Sequence, residues 1–185
     1  MFKRFLEGLF LLCLIAGGFY WYSSSYNLTP NTALFALATA DDQHYSDYAL
    51  EFTCPDGWQV SKEEVEGKEI LHHVTYIDPG GRSHGFVQIW AASKPLEKFL
   101  KESLNSPADV DLVKNLNMKP CQLGTKEGYL VSYERSAKDQ VVAKEFFFVR
   151  DKCIYRISLF VKEGNWSEND EEVFNELVSS LTVKY

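Results

Sequence analysis

The chain has 185 residues, 19 basic and 26 acidic, and a formal charge of −7. That length leaves room for one domain beyond an N-terminal leader, and 45% apolar with 15% aromatic residues excludes a disordered chain. Lys3, Arg4 and Glu7 aside, 17 basic and 25 acidic residues remain, a balance of −8. Such a domain repels phosphate backbones, which argues against nucleic acid and against flat adhesion to anionic lipid.

Residues 1–22 read as a membrane anchor. Lys3 and Arg4 precede a run from Leu9 to Tyr22 without charge, ending in Tyr20, Trp21 and Tyr22. A spanning helix needs roughly 20 mostly apolar residues. Phe5–Tyr22 comes close, with Glu7 about one turn from the basic end. Basic residues stay cytoplasmic and aromatics favour the headgroup level, so the N-terminus is expected inside and the bulk of the chain outside, as a single-pass signal-anchor protein of the cell membrane. The alternative is a secreted protein whose leader is cleaved near Ala16-Gly17-Gly18. Retention is favoured because the apolar run continues past those glycines. Cys13 follows Leu12, where lipoprotein cleavage wants a small residue, so it reads as one more apolar side chain.

Residues 23–46 read as a tether, opening on three serines and carrying an apolar stretch, Thr32–Ala40, suited to a short helix. The folded domain is expected over residues 47–185. Ala49–Thr53 predicts a strand stopped by the turn cluster Pro55-Asp56-Gly57, and Trp58–Ser61 a second. Ile70–Ile77 and Phe86–Ala92 predict a hairpin around Asp78-Pro79-Gly80-Gly81. Leu96, Phe99, Leu100 and Leu104 share one face of a helix that starts near Pro95 and stops at Asn105-Ser106-Pro107. Asp109–Leu116 fits one or two further helical turns. A meander follows: Met118–Leu123, Gly128–Glu134, Val141–Arg150, a tight turn at Asp151-Lys152, and Ile154–Val161. In the last strand Tyr155, Ile157, Leu159 and Val161 alternate with Arg156 and Ser158, which predicts one buried face. Phe146-Phe147-Phe148 must point aromatics to both faces, which demands cover on both sides of the sheet. Ser167 with Asp170 predicts a capping box for a closing helix whose stripe is Val173, Phe174, Leu177, Val178 and Leu181. The fold class is α+β, an antiparallel sheet with helices packed on it.

Ala49-Leu50-Glu51-Phe52-Thr53-Cys54-Pro55-Asp56-Gly57-Trp58 is similar to the opening of PsbP-like domains, where an amphipathic strand runs into a Pro and a Gly-Trp turn. Tyr155-Arg156-Ile157-Ser158-Leu159, with the later Leu177-Val178-Ser179-Ser180-Leu181, resembles the last strand and helix of that family. The resemblance covers about Asp47 to Tyr185 and implies an α/β/α sandwich around a central antiparallel sheet. The family includes extrinsic subunits of photosystem II, the Ran-binding Mog protein and many bacterial secreted or anchored proteins, whose known members mostly bind and assemble. No functional residue carries over.

The chemistry-bearing residues are sparse. Cys54, Cys121 and Cys153 lack C-x-x-C spacing and read as buried thiols, with Cys121–Cys153 the pairing to expect if a bridge forms. His72, His73 and His84 are the one tempting cluster. If residues summing to 159 face each other, His73 opposes Phe86 and His84 opposes Thr75, placing the two histidines diagonally at roughly 7–8 Å. With Asp78 nearby, that geometry outlines a loose Zn²⁺ or Cu²⁺ site, but it supplies too few ligands, so ordinary polar residues on a sheet face is the favoured reading. There is no Gly-x-Ser-x-Gly elbow, no phosphate-binding glycine loop and no calcium-loop spacing. Glu63-Glu64 and Glu168–Glu172 read as solvated faces and caps, and Trp58, Trp90 and Trp166 as core rather than a ligand groove. No catalytic, cofactor-binding or metal residue is assigned, and no cofactor. The expected function is a non-catalytic, membrane-tethered extracytoplasmic domain binding an envelope protein or small ligand. The alternatives are an extracytoplasmic, metal-assisted hydrolase and a carrier for an apolar molecule.

Overall fold

The computed structural model describes residues 44–65, 69–104, 113–136, 140–162 and 165–184. The anchor 1–22, Cys13, the tether through residue 43 with Thr32–Ala40, and the expected helix stop at 105–107 lie outside the described residues. Among the described residues no helix is long and apolar enough to cross a membrane.

Ten strands and two helices are described: β1 His44–Ser46, β2 Leu50–Thr53, β3 Gln59–Lys62, β4 Ile70–Ile77, β5 Ser83–Ala91, α1 Leu96–Leu104, β6 Val113–Leu123, β7 Lys126–Ser136, β8 Gln140–Arg150, β9 Cys153–Lys162, α2 Glu168–Ser180 and β10 Thr182–Val183. Seven strands form one antiparallel sheet in the order β3-β4-β5-β9-β8-β7-β6. Two meanders, β3–β5 and β6–β9, are therefore joined back to back by the β5–β9 pairing. A second, three-stranded sheet has the order β1-β2-β10.

The turns are where the sequence dictates them. Gly57 sits at φ +76°, and the Trp58 N–H donates to the Pro55 carbonyl at 3.2 Å, a turn that wants glycine in its third place. Asp151 and Lys152 both take positive φ, 50° and 62°, the primed two-residue turn that matches strand twist. In the β4–β5 connection the Asp78 carboxylate accepts the backbone N–H groups of Arg82 (3.0 Å) and Ser83 (2.8 Å). That local bonding turns the Arg82 guanidinium toward α2, where it grips Asp170 through two hydrogen bonds of 2.8 Å.

Asp170 also completes the expected capping box: it accepts the Ser167 N–H at 2.8 Å, and the Ser167 hydroxyl accepts the Asp170 N–H at 3.2 Å. Arg82 and these hydrogen bonds hold the Asp170 carboxyl below its usual range, against the opposing effect of burial, which is the largest single influence. Ser167→Ala is expected to cost about 1 kcal/mol in chemical denaturation through loss of the cap.

Phe146 and Phe148 pack on one core while Phe147 packs on another, so both faces of the large sheet are covered, as the aromatic triplet requires. On the first face Val74, Tyr76, Ile157 and Leu159 meet Phe174, Leu177 and Val178 of α2 and Leu50 and Phe52 of β2. On the second, Trp90, Tyr133 and Ile154 meet Leu100 of α1, with Leu96, Phe99 and Leu104 at its margin. The long edge strand β6 is blunted by Lys114, Lys119, Pro120 and a bulge at Asn115, where φ is 53°.

The structure departs from the sequence expectations at five points. His44–Ser46 pair with β2, so the folded unit starts at least three residues ahead of Asp47. Residues 113–116, expected to be helical, belong to β6. Strand β2 joins the small sheet rather than the central one. Arg156 and Ser158, expected on an exposed face, are 2% and 0% exposed because that face of the sheet is covered too, with the Phe86 and Phe147 rings packed against Arg156. Cys54, Cys121 and Cys153 are free thiols as expected, but only Cys54 is buried, while Cys121 and Cys153 are half-buried. Cys121 in β6 and Cys153 in β9 are separated by two intervening strands, roughly 14 Å at the usual spacing, too far for a bridge.

Candidate functional site

The most concentrated polar chemistry lies inside the sheet. His73, Gln88 and Arg156 stand directly opposite one another across β4, β5 and β9, and the next row carries Phe86, Ser158 and Glu145 across β5, β9 and β8. Strand alternation therefore puts all six side chains on the face that α1 covers. His73, Gln88, Arg156, Glu145 and Ser158 are each at most 9% exposed.

The network is closed by reciprocal hydrogen bonds. Glu145 Oε1 accepts from the Tyr133 hydroxyl at 2.9 Å, and Oε2 accepts from the Ser158 hydroxyl at 2.6 Å and from Arg156 Nε. Arg156 Nη1 donates to Gln88 Oε1 at 3.3 Å, and Trp90 Nε1 donates to the same oxygen at 3.1 Å. The guanidinium lies 4.6 Å from the Phe86 ring centre and 5.5 Å from that of Phe147. A buried ion pair of this kind survives because charge, hydrogen bonds and ring faces together offset desolvation.

That arrangement fixes the protonation of His73. With two donors on Gln88 Oε1, the Gln88 amide nitrogen points at His73 Nδ1, 2.8 Å away, and must donate to it. Nδ1 is then an acceptor and the imidazole is the neutral Nε2–H tautomer. Burial, with Arg156 and then His72 adding to it, pushes the His73 pKa down to about 4. The unfolded chain takes up this proton near pH 6.5, and the folded protein only near 4. Stability from His73 is therefore complete above about pH 6.5 and is lost as pH falls toward 4, by at most about 3 kcal/mol. Urea midpoints measured across that window should fall with pH, and His73→Gln should flatten the slope.

The other histidines do not join this cluster. The observed pairs sum to 161: His73 faces Gln88, Thr75 faces Phe86 and Ile77 faces His84. His73 and His84 share a face but lie four residues apart along the ladder, roughly 14 Å, not diagonal neighbours. His84 stacks on Phe160 at 5.3 Å, and burial pushes its pKa down to about 4 against the attraction of Asp78. His72 points to the opposite face, with Nε2 2.9 Å from Asp47 Oδ2 and its ring edge-on to Tyr48. Burial lowers its pKa, and Asp47 opposes that shift. Among the described residues no three His, Cys, Asp or Glu side chains converge as a metal site.

The remaining candidates are structural. Burial pushes the Cys54 thiol up to about 12, with the charge of Glu176 adding to it, which leaves it a poor nucleophile. Trp90 is buried, and Trp58 and Trp166 pack half-buried on the α2-side core. Glu171 accepts from Trp166 Nε1 at 2.8 Å and pairs with Lys144. Glu145, Arg156, Gln88 and Tyr133 have no site role in the sequence expectations. The signal for them lies in the Phe146–Phe148 triplet: a sheet covered on both faces leaves no solvent for Glu145 or Arg156, so they must meet each other.

No family model and no curated protein matches the chain. Solved structures do. The cyanobacterial PsbP protein CyanoP from Synechocystis sp. PCC 6803 matches with a TM-score of 0.55 and 17% identity, over 84% of this chain and 99% of that one. A protein from Bacteroides thetaiotaomicron matches with a TM-score of 0.50 and 11% identity, over 74% of this chain. The chain spans 45% of the length of that second structure. The fold is PsbP-like, as the Gly-Trp turn and the last strand and helix imply.

Proposed function

We propose that the chain is a non-catalytic domain, tethered by its N-terminal apolar segment to the outer face of the cell membrane, that binds a protein partner or small ligand. The observation that supports binding over reaction is the closure of the polar network. Both Glu145 oxygens are engaged, the Gln88 amide is engaged at both ends, and every member of the set is at most 9% exposed. A general acid or base has to reach its substrate within hydrogen-bond distance, and the Glu145 and Gln88 side chains are buried and already engaged within the network. His73 and His84 lie on one face of the sheet and His72 on the other, an arrangement that favours binding over a metal-assisted hydrolase.

The mechanism is positional. A tether confines the domain near other envelope components and raises its effective concentration for them to the millimolar range for short flexible linkers. Replacing residues 1–22 with a cleavable leader should leave the domain folded and secreted, and should lower crosslinking to its envelope partners by at least about tenfold. The purified chain should show no esterase, phosphatase or peptidase turnover. Turnover that disappears on changing one of His72, His73 or Glu145 would contradict the reading.

A further inference from the structure

A groove of about 550 Å³ opens where the ends of β7 and β8 pass under the C-terminus of α2. Its size is that of a small-molecule site. Its apolar lining is Phe148, Leu181 and Val183, 5%, 2% and 7% exposed, together with Val149, 48% exposed, and the rest of the lining is polar. Lys126, Arg150 and the carboxylate Glu127 stand in its wall.

Lys126 is unlike three other lysines with partly covered side chains. Lys94 pairs with Glu102, Lys144 with Glu171 and Lys184 with Glu51. Lys126 has no carboxylate within ion-pair reach among the described residues, and its polar contact is the Ser179 carbonyl at 3.4 Å, too long for a strong bond. In a domain with eight more acidic than basic residues, a half-buried ammonium without a carboxylate marks a place where an anion from outside is electrostatically preferred. Arg150 Nε leans on Asp151 at 3.3 Å at an exposed position, a weak pair that an incoming anion can displace.

We propose that this groove binds a small anionic amphiphile, its carboxylate or phosphate on Lys126 and its apolar part on Phe148, Leu181 and Val183. The inference rests on the binding reading above and names a ligand class for it. Burial lowers the Lys126 pKa, as expected for an ammonium that lacks a counter-charge.

The test uses the full chain in neutral-lipid nanodiscs with ¹³C-labelled Leu and Val methyl groups. Hexanoate should shift the Leu181 and Val183 methyl signals saturably, as should hexyl phosphate. Acetate and inorganic phosphate, which lack the apolar part, should not. Lys126→Gln should weaken hexanoate binding about tenfold or more, the loss of one charge-assisted bond. Thr182→Trp, an exposed lining position, should block it. The remaining methyl signals report that each variant is folded. Equal binding of hexanol and hexanoate, an unchanged affinity in Lys126→Gln, or no saturable shift would each overturn the proposal. This titration reads the groove alone, so its failure leaves tether-dependent partner binding standing. Failure of the crosslinking test leaves the groove result standing.

Discussion

Arg156→Met is expected to destabilise the chain by about 3–5 kcal/mol, because it strands the buried Glu145 carboxylate without its cation. Tyr133 and Ser158 still donate to that carboxylate, but two neutral hydrogen bonds do not replace a full opposing charge. Glu145→Leu should cost a similar amount for the converse reason. The double change, Arg156→Met with Glu145→Leu, should be much closer to neutral, within about 1–2 kcal/mol of the parent, since two desolvated charges leave together. The coupling from this cycle, read by urea unfolding, measures how far the pair is removed from water. Single costs below about 1 kcal/mol would mean that solvent reaches the pair, and the case for a closed network would be lost.

Gly85→Ala should be comparably severe, costing more than about 3 kcal/mol. A Cβ at residue 85 meets the Ser158 carbonyl oxygen at 1.9 Å and Tyr76 Cε2 at 2.5 Å. Tyr76 lies opposite Gly85 across the β4–β5 ladder, is 1% exposed, and donates its hydroxyl to that same carbonyl at 2.7 Å. The ring thus occupies the space the glycine leaves, a pairing that stabilises glycine within strands. Tyr76→Leu removes the ring but not the carbonyl, so it should not restore Gly85→Ala. Restoration would place the strain in the ring alone and contradict the backbone clash.

What was legible in the sequence was mostly local. Strand β4 runs Ile70–Ile77 as its β-branched run and following turn predict. Helix α2 begins where Ser167 and Asp170 say it should, because a cap is a bond between residues three apart. Strand β6 was only partly legible. Lys114, Asn115 and Asn117 are exposed on an edge, and a bulge between Lys114 and Asn117 breaks the alternation that identifies a strand. The β4–β5 register missed by two residues because Asp78 bonds Arg82 and Ser83 and widens the turn. That shift alone dissolved the proposed histidine geometry. The β5–β9 pairing and the small sheet are contacts between distant segments, which periodicity does not encode. The buried network was missed for the same reason: Arg156 looks solvent-facing until both faces of β9 are known to be covered.

The proposed binding role requires that this PsbP-like domain be displayed outside the cytoplasm. The most direct measurement is labelling of intact cells with a membrane-impermeant maleimide. The variant is Lys98→Cys on α1, at a side chain 68% exposed, with Cys121 and Cys153 changed to Ser. Full labelling is expected before lysis. Labelling that appears only after the cells are broken would contradict the proposed role.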